Sequence, residues 1–222
     1  MEIGILERSG YKDAGIGALC EIPRPPERLW VRGALPPPGT KKLAVVGSRE
    51  LSSYGRRACE ALIAGLKERP ISIVSGLALG ADACAHEAAL QAGLHTIAIP
   101  GSGLHDRVIA PRTNLGLARD ILAAGGALLS EHEPHHVPFP SDFPSRNRIM
   151  AGIADAVLVI EAGEKSGTLI TARLAAEYDR ELLCVPHRID DMHGHGAHLF
   201  VRLGATLVAS PKHILEALGL AP

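Results

Sequence analysis

Short apolar runs alternate with segments of helical spacing along most of this chain. Six runs are predicted to form buried strands, and a shorter one follows near the end; they lie at 42–48, 72–76, 95–101, 127–131, 155–162, 181–187 and 205–210. Segments in which apolar residues recur every three or four positions separate most of these runs, which is typical of amphipathic helices. The pattern predicts an α/β fold with a mainly parallel sheet covered by helices on both faces.

The first 41 residues do not follow this pattern. The proline-rich run IPRPPERLWVRGALPPPGT, at 22–40, indicates an extended arm or linker. We therefore predict an irregular N-terminal arm over 1–41, the possible remnant of a helical domain, and one α/β domain over 42–222. No internal repeat is visible.

Composition narrows the class of protein. The 222 residues are 46% apolar, enough for one α/β domain with a sizeable core. The net charge of −1 excludes a generally basic surface, so any binding of nucleic acid must use a local cluster of Arg and Lys. No apolar run is long enough to span a membrane, no signal peptide is visible, and the four cysteines are scattered. We expect a cytoplasmic protein with reduced thiols and no membrane partner.

Candidate chemistry concentrates in the loops that follow the strands. Ligands of parallel sheets bind beyond the carboxyl ends of the strands, so these loops form one set. Most of them combine Gly with Ser or Thr, which lets backbone N–H groups approach an anion closely. The loops are Gly47-Ser48-Arg49, Ser75 to Gly80, Gly101-Ser102-Gly103, 132–148 and Lys165-Ser166-Gly167-Thr168. Together they predict a phosphate-binding site.

The stretch FPSRNRIMAG, at 143–152, supplies two of the cations. A helix is predicted to begin at Pro144 and Ser145, which places Arg146 and Arg148 in its first turn. The positive end of a helix disfavours cations, so an anionic ligand would explain them. Residues two apart diverge on a helix. We therefore expect Arg146 to lie nearer the ligand. For Arg148 two roles stay open: a contact with the ligand, or a structural salt bridge.

Other kinds of site find less support. Neither G-x-G-x-x-G nor the P-loop motif occurs, which argues against a bound NAD and against a P-loop ATPase. The eleven histidines include His193, His195 and His198 in one run and His132, His135 and His136 in another, with no Cys or carboxylate at a recognisable zinc spacing. We predict no metal and no cofactor, and interpret the 193–198 run as a mobile polar loop. No serine lies in a G-x-S-x-G elbow.

Several ordered motifs resemble the DprA/Smf (DNA-processing protein A) family. The motifs are IPRPPERLWVRG, AVVGSRELSSYG, IVSGLALGADACAHEAAL, FPSRNRIMAGIADAVLVIEAGEKSGTLITARLA and VRLGATLV. The resemblance implies an extended Rossmann-like domain that binds single-stranded DNA, forms a homodimer and loads the recombinase RecA in natural transformation, without catalysis. The C-terminal winged helix of many family members has no counterpart in this sequence.

The resemblance and the loop argument select overlapping residues for a DNA and phosphate site. The predicted site residues are Ser48, Arg49, Ser75, Gly76, Gly103, Phe143, Arg146, Asn147, Arg148, Lys165, Ser166, Gly167 and Thr168. Phe143 adds an aromatic ring on which a base could stack, although it could equally anchor its loop to the core. Leu79 stands where the family often has Arg, so the rim of the site differs.

Two other functions remain open. The chain also resembles the Lonely Guy-type phosphoribohydrolases, which cleave nucleoside monophosphates with an Arg and a Glu. Arg146, Met150 and the pair Gly167-Thr168 match that pattern, but Thr171 occupies the position of the catalytic Glu. Glu161 and Glu164 lie close by and could replace it. The third possibility is a non-catalytic sensor of a small nucleotide that uses the same pocket.

Overall fold

The computed structural model describes residues 2–163 and 167–221. Its strands are β1 (Ile3–Glu7), β2 (Arg28–Gly33), β3 (Lys41–Val46), β4 (Ile71–Ser75), β5 (His95–Ala98), β6 (Ala127–Ser130), β7 (Ala156–Val159), β8 (Glu181–Cys184) and β9 (Thr206–Leu207). Its α-helices are α1 (Ser53–Ala64), α2 (Ala81–Gln91), α3 (Leu115–Ala123), α4 (Asp142–Ile153), α5 (Thr168–Glu177), α6 (His195–Arg202) and α7 (Pro211–Ala217).

All nine strands form one sheet in the order β1-β2-β6-β5-β4-β3-β7-β8-β9. The strands from β3 to β9 are parallel, while β2 is antiparallel to β6 and β1 is antiparallel to β2. The predicted α/β class, with a mainly parallel sheet, is therefore confirmed. From β3 the chain adds β4, β5 and β6 on one side and then crosses to add β7 on the other. This crossing opens a crevice between β3 and β7, where sheets of this kind bind ligands.

The central strand β3 is buried on both faces, which explains its continuous apolar sequence. Leu43 and Val45 pack in the cluster that includes α1, α2 and α7. Ala44 and Val46 point the other way, into the cluster that includes α4, α5 and α6. Side chains alternate between the faces of a strand, so a strand covered on both sides needs apolar residues at every position.

The prediction that residues 1–41 are irregular was wrong for two segments. β1 and β2 extend the sheet beyond β6, and Leu29 and Trp30 of β2 are buried. The antiparallel pairing with β2 covers the edge that β6 would otherwise expose, which protects unpaired backbone groups. The prolines flank β2 and leave its interior free to pair.

Two other local predictions also need correction. α4 begins at Asp142 and not at Pro144, so Arg146 is its fifth residue and Asp142 occupies the first turn. An acidic residue there suits the positive helix end, so the apparent conflict between the arginines and the helix start is largely removed. The run interpreted as a mobile polar loop is ordered, because His195 and His198 belong to α6.

The thiols agree with expectation. Cys59, Cys84 and Cys184 are buried, and all four cysteines are free. Within the described ranges, no helix combines the length and the apolar character that crossing a bilayer demands.

Candidate functional site

A cavity of about 740 Å³ lies at the crevice between β3 and β7. Its walls come from the loop after β3, the start of α2, the first turns of α4 and the start of α5. The residues that line it are Val46, Gly47, Ser48, Arg49, Glu50, Ala78, Asp82, Pro140, Phe143, Pro144, Arg146, Asn147, Met150, Gly163, Gly167, Thr168, Ile170 and Thr171. Four of the five predicted loops therefore contribute described residues to one cavity, whereas the loop at 101–103 does not line it.

Arg146 provides a buried cation in the wall of this cavity. Its residue is only 6% exposed, yet its guanidinium has an incomplete set of partners. Nη2 lies 3.5 Å from Oδ2 of Asp82, and Nη1 contacts the Met150 sulfur at 2.6 Å. Nε has no hydrogen-bond partner among the described residues. The pKa of Arg146 lies below its ordinary value, because burial and the charge of Arg49 lower it by more than Asp82 raises it. An arginine remains charged in such surroundings, so an anion would complete its contacts.

The loop after β4 positions this arginine, and two of its backbone N–H groups are already bound to Asp82 and not free for a phosphate. The Asp82 carboxylate accepts hydrogen bonds from the backbone N–H of Gly76 at 3.1 Å and of Ala78 at 3.3 Å. A Cβ on Gly76 would lie 1.4 Å from Nη1 of Arg146. Gly76 therefore leaves the space for the guanidinium to approach the backbone, and Asp82 occupies the amides that we had assigned to phosphate.

Arg49 brings a second cation to the same cavity. It is exposed, and its Cζ lies 5.6 Å from the centroid of the Phe143 ring. The ring also covers Gly101, where a Cβ would come within 2.8 Å of it. Phe143 is therefore packed against Gly101 and partly exposed in the cavity wall, which fits the anchoring role, while base stacking stays a prediction. A cation beside an aromatic ring is a suitable surface for a phosphate and its base.

The start of α5 forms the opposite wall. Gly167 and Thr168 line the cavity, so the positive end of a ten-residue helix faces it. Asn147 lines it from α4. Ser48 lines it too, although its hydroxyl is engaged with the backbone of Glu50 at 3.1 Å. Lys165 and Ser166 lie outside the described residues.

Four of the predicted site residues that the structure describes do not line the cavity: Gly76, which lies behind the Arg146 guanidinium, and Ser75, Gly103 and Arg148. Ser75 is fully buried and donates to the Val45 carbonyl, and Gly103 is packed so closely that a Cβ would meet the Glu133 carbonyl at 2.2 Å. Arg148 pairs with Glu131 and donates to the Arg24 carbonyl at 2.8 Å. Of the two alternatives for Arg148, the structure shows the salt bridge.

Comparison with known proteins identifies the family. The family model described as DNA recombination-mediator protein A matches residues 10–219. The chain belongs to this family. It is 44% identical over 193 residues to protein Smf of Escherichia coli, and the aligned region covers 87% of this chain and 51% of that protein. It is 42% identical over 197 residues to DNA processing protein DprA of Streptococcus pneumoniae, which covers 89% of the chain and 68% of that protein. The chain thus spans about half the length of the E. coli relative.

Solved structures of the family share the fold. The structure of DprA from Streptococcus pneumoniae superposes with a TM-score of 0.87 at 38% identity and covers 97% of this chain and 74% of its own. A second structure, of DNA processing protein A from Helicobacter pylori, was reported for its single-stranded DNA binding mode. It has a TM-score of 0.83 at 28% identity, and the match covers 98% of this chain and 96% of that one. A molybdenum cofactor binding protein from Rippkaea orientalis, at 17% identity and a TM-score of 0.57, shares the fold alone.

Sequence reasoning missed two residues in this family member's site. Asp82 pairs with Arg146, and Met150 contacts the same guanidinium. The sequence analysis gave Asp82 no role, and it named Met150 only as a match to the phosphoribohydrolase pattern. Asp82 is an acidic residue in the first turn of α2, and such residues usually serve the helix start alone. Nothing in the sequence shows that its carboxylate reaches α4, because the two residues are 64 positions apart.

Gly80 sets the distance between the loops after β3 and β4. Its φ is +72°, and a Cβ there would lie 2.2 Å from the Ser48 carbonyl and 2.5 Å from that of Arg49. Gly93 has a similar φ of +69° but nothing within 4 Å of its Cβ position, so Gly93→Ala is a matched control. We expect Gly80→Ala to lower the free energy of unfolding by about 1–3 kcal/mol more than Gly93→Ala does. Equal losses in chemical denaturation would show that the loops are not in close contact.

Proposed function

We propose that this chain binds single-stranded DNA in the cavity between β3 and β7, in keeping with a DNA-processing role. The observation that carries the proposal is the buried Arg146 guanidinium in the wall of the cavity, where Asp82 at 3.5 Å is its one salt-bridge partner among the described residues. Arg49 supplies a second cation, and the Phe143 ring lies beside it. Family membership and the reported DNA-binding mode of the Helicobacter pylori relative support the same ligand.

The shape of the site favours a single strand over a duplex. Arg146 is almost completely buried, so a phosphate must enter the cavity to reach it. The Phe143 ring can stack only on a base that is not already stacked within a helix. Guanidiniums contact phosphates without reading bases, so we expect little dependence on base sequence.

A competition experiment tests this proposal. A labelled single-stranded oligonucleotide is titrated with the chain, and unlabelled single-stranded DNA, duplex DNA and AMP are then added as competitors at two salt concentrations. We expect the single strand to compete best and its affinity to fall steeply with salt, since each neutralised phosphate contributes about 0.7 to the slope of log K. Equal competition by AMP, with a shallow salt dependence, would instead support a sensor of small nucleotides.

Among the described residues, the carboxylates that line the cavity are those of Glu50 and Asp82, and neither stands at the position of the hydrolase Glu. Thr171 lines the cavity where a phosphoribohydrolase has Glu. Glu161 is fully buried and does not line the cavity. Its carboxylate accepts hydrogen bonds from the backbone N–H and the hydroxyl of Ser52, at the start of α1. Glu164 lies outside the described residues. Release of free base from AMP would be the result that favours catalysis.

Loading of RecA and formation of a homodimer are finer parts of the proposal that rest on the family resemblance. For the homodimer, a second observation helps. Leu199 of α6, Leu203 directly after α6 and Leu207 of the edge strand β9 are exposed. By contrast, Val208, Ile214 and Leu215 farther along the chain are buried within its own core.

A further inference from the structure

A second cluster of polar side chains lies in the loop between β6 and α4. It consists of His132, His136 and Asp142, and one potential ligand atom from each lies within 4.8 Å of the other two. Nε2 of His136 is 2.8 Å from Oδ2 of Asp142, and Nε2 of His132 is 3.9 Å from Oδ1. The two imidazole rings stack with centroids 4.1 Å apart. None of the three residues lines the cavity between β3 and β7.

We propose that His132, His136 and Asp142 form a binding site for one divalent transition-metal ion, with zinc as the best match. Two imidazoles and a carboxylate are a ligand set that zinc prefers. Ligand atoms about 2.0–2.1 Å from a tetrahedral ion lie roughly 3.3 Å from one another. The separations of 2.8 and 3.9 Å lie on either side of that value, and the soft ring torsions of histidine permit the adjustment.

Burial and hydrogen bonding shape the surroundings of His132 and Asp142. Burial, and then the charge of His136, lower the pKa of His132. Burial alone would raise the pKa of Asp142, but hydrogen bonds from His136 and the Phe139 N–H bring it below its ordinary value. The Phe139 N–H, 2.8 Å from Oδ2, also fixes the orientation of the carboxylate.

The cluster is accessible and has room for a further ligand. The side chains of His132, His136 and Asp142 are 25%, 26% and 14% exposed. A second cavity of about 680 Å³ is lined by both histidines and by Glu131 and Glu133, so an ion could enter from that side and keep water at its fourth position. Arg148, whose charge also lowers the pKa of His132, is paired with Glu131.

The sequence prediction of no metal named both histidines but did not consider Asp142, six positions beyond His136, as a third ligand. Asp142 is the first residue of α4, and the histidines lie in the preceding loop. An ion bound here would tie that loop to the start of α4. Binding to the folded chain alone must then stabilise it.

The test uses the full chain, free of any polyhistidine tag and treated with a chelator before titration. Zn²⁺ binding is measured by calorimetry, and Co²⁺ is added as a spectroscopic probe of the ligand set. We expect the parent to bind one equivalent of Zn²⁺, to give a visible Co²⁺ absorption band and to melt at a higher temperature with Zn²⁺. His132→Ala and His136→Ala should each weaken Zn²⁺ binding by at least about tenfold and remove the band.

His135→Ala is the matched control. His135 lies in the same loop and lines the same cavity, but its ring contacts His105 rather than the cluster. His132→Ala is the cleaner ligand variant, since within the described residues its ring makes no hydrogen bond. The proposal is overturned if the parent binds neither ion, or if the His132 and His136 variants bind Zn²⁺ as tightly as His135→Ala.

Discussion

Replacing Asp82 with alanine is expected to lower the free energy of unfolding by about 3–5 kcal/mol in the absence of DNA. The carboxylate balances the buried charge of Arg146 and holds the backbone N–H groups of Gly76 and Ala78. Its removal leaves a guanidinium without a counter-charge, 7% exposed at its side chain, and two N–H groups without an acceptor. Chemical denaturation of the parent and the variant measures the loss.

Glu87→Ala provides the control on the same helix. Glu87 is exposed and pairs with Arg56 at 3.5 Å, an arrangement that contributes at most about 1 kcal/mol. Asp82→Asn removes the charge but keeps an acceptor oxygen, so its loss in free energy of unfolding should lie between those of Asp82→Ala and Glu87→Ala. Single-stranded DNA should partly restore the stability of the Asp82 variants, because a phosphate can replace the lost carboxylate beside Arg146. A loss at Asp82 no larger than that at Glu87 would contradict the buried ion pair.

Arg146→Ala should weaken binding of single-stranded DNA by roughly 10–100-fold. A hydrogen bond to a charged group contributes about 1.5–3 kcal/mol, and each 1.4 kcal/mol corresponds to a factor of about ten. Arg146→Lys keeps the charge but loses the fork of donors, so its affinity should be intermediate. Fluorescence anisotropy with a labelled oligonucleotide measures the affinities, and thermal melting checks that each variant is folded.

Arg148→Ala is the matched control for this prediction. It removes the same side chain two residues along the same helix, but Arg148 pairs with Glu131 and does not line the cavity. We expect its affinity for DNA to stay within about twofold of the parent, since a contact outside the interface carries little binding energy. If Arg148→Ala weakened binding as much as Arg146→Ala, the cavity would be the wrong site.

Most of the fold could be predicted because its strands are buried on both faces. A strand such as β3 is continuously apolar from Leu43 to Val46, and its predicted bounds lie within two residues of the observed ones. β1 was missed because it is an edge strand with three exposed positions in its five residues, IGILE. β2 was missed because it lies among prolines that suggest an arm.

The site was predictable in position but not in detail. The rule that ligands bind beyond the carboxyl ends of parallel strands placed Arg49, Phe143 and Arg146 correctly at one cavity. The direction of each side chain depends on where a helix begins, and the start of α4 differs by two residues from the prediction. Long-range partners such as Asp82 for Arg146 and Glu131 for Arg148 leave no local signal, because they depend on how separate loops meet.

The salt dependence of single-stranded DNA binding tests most directly whether Arg49 and Arg146 hold phosphates. The slope of log K against log salt is measured for the parent and for Arg49→Ala/Arg146→Ala. If each guanidinium neutralises one phosphate, the slope of the double variant should be shallower by about 1.4, twice the value of about 0.7 per phosphate. An unchanged slope, even with a weaker affinity, would mean that these arginines shape the protein without contacting the DNA backbone.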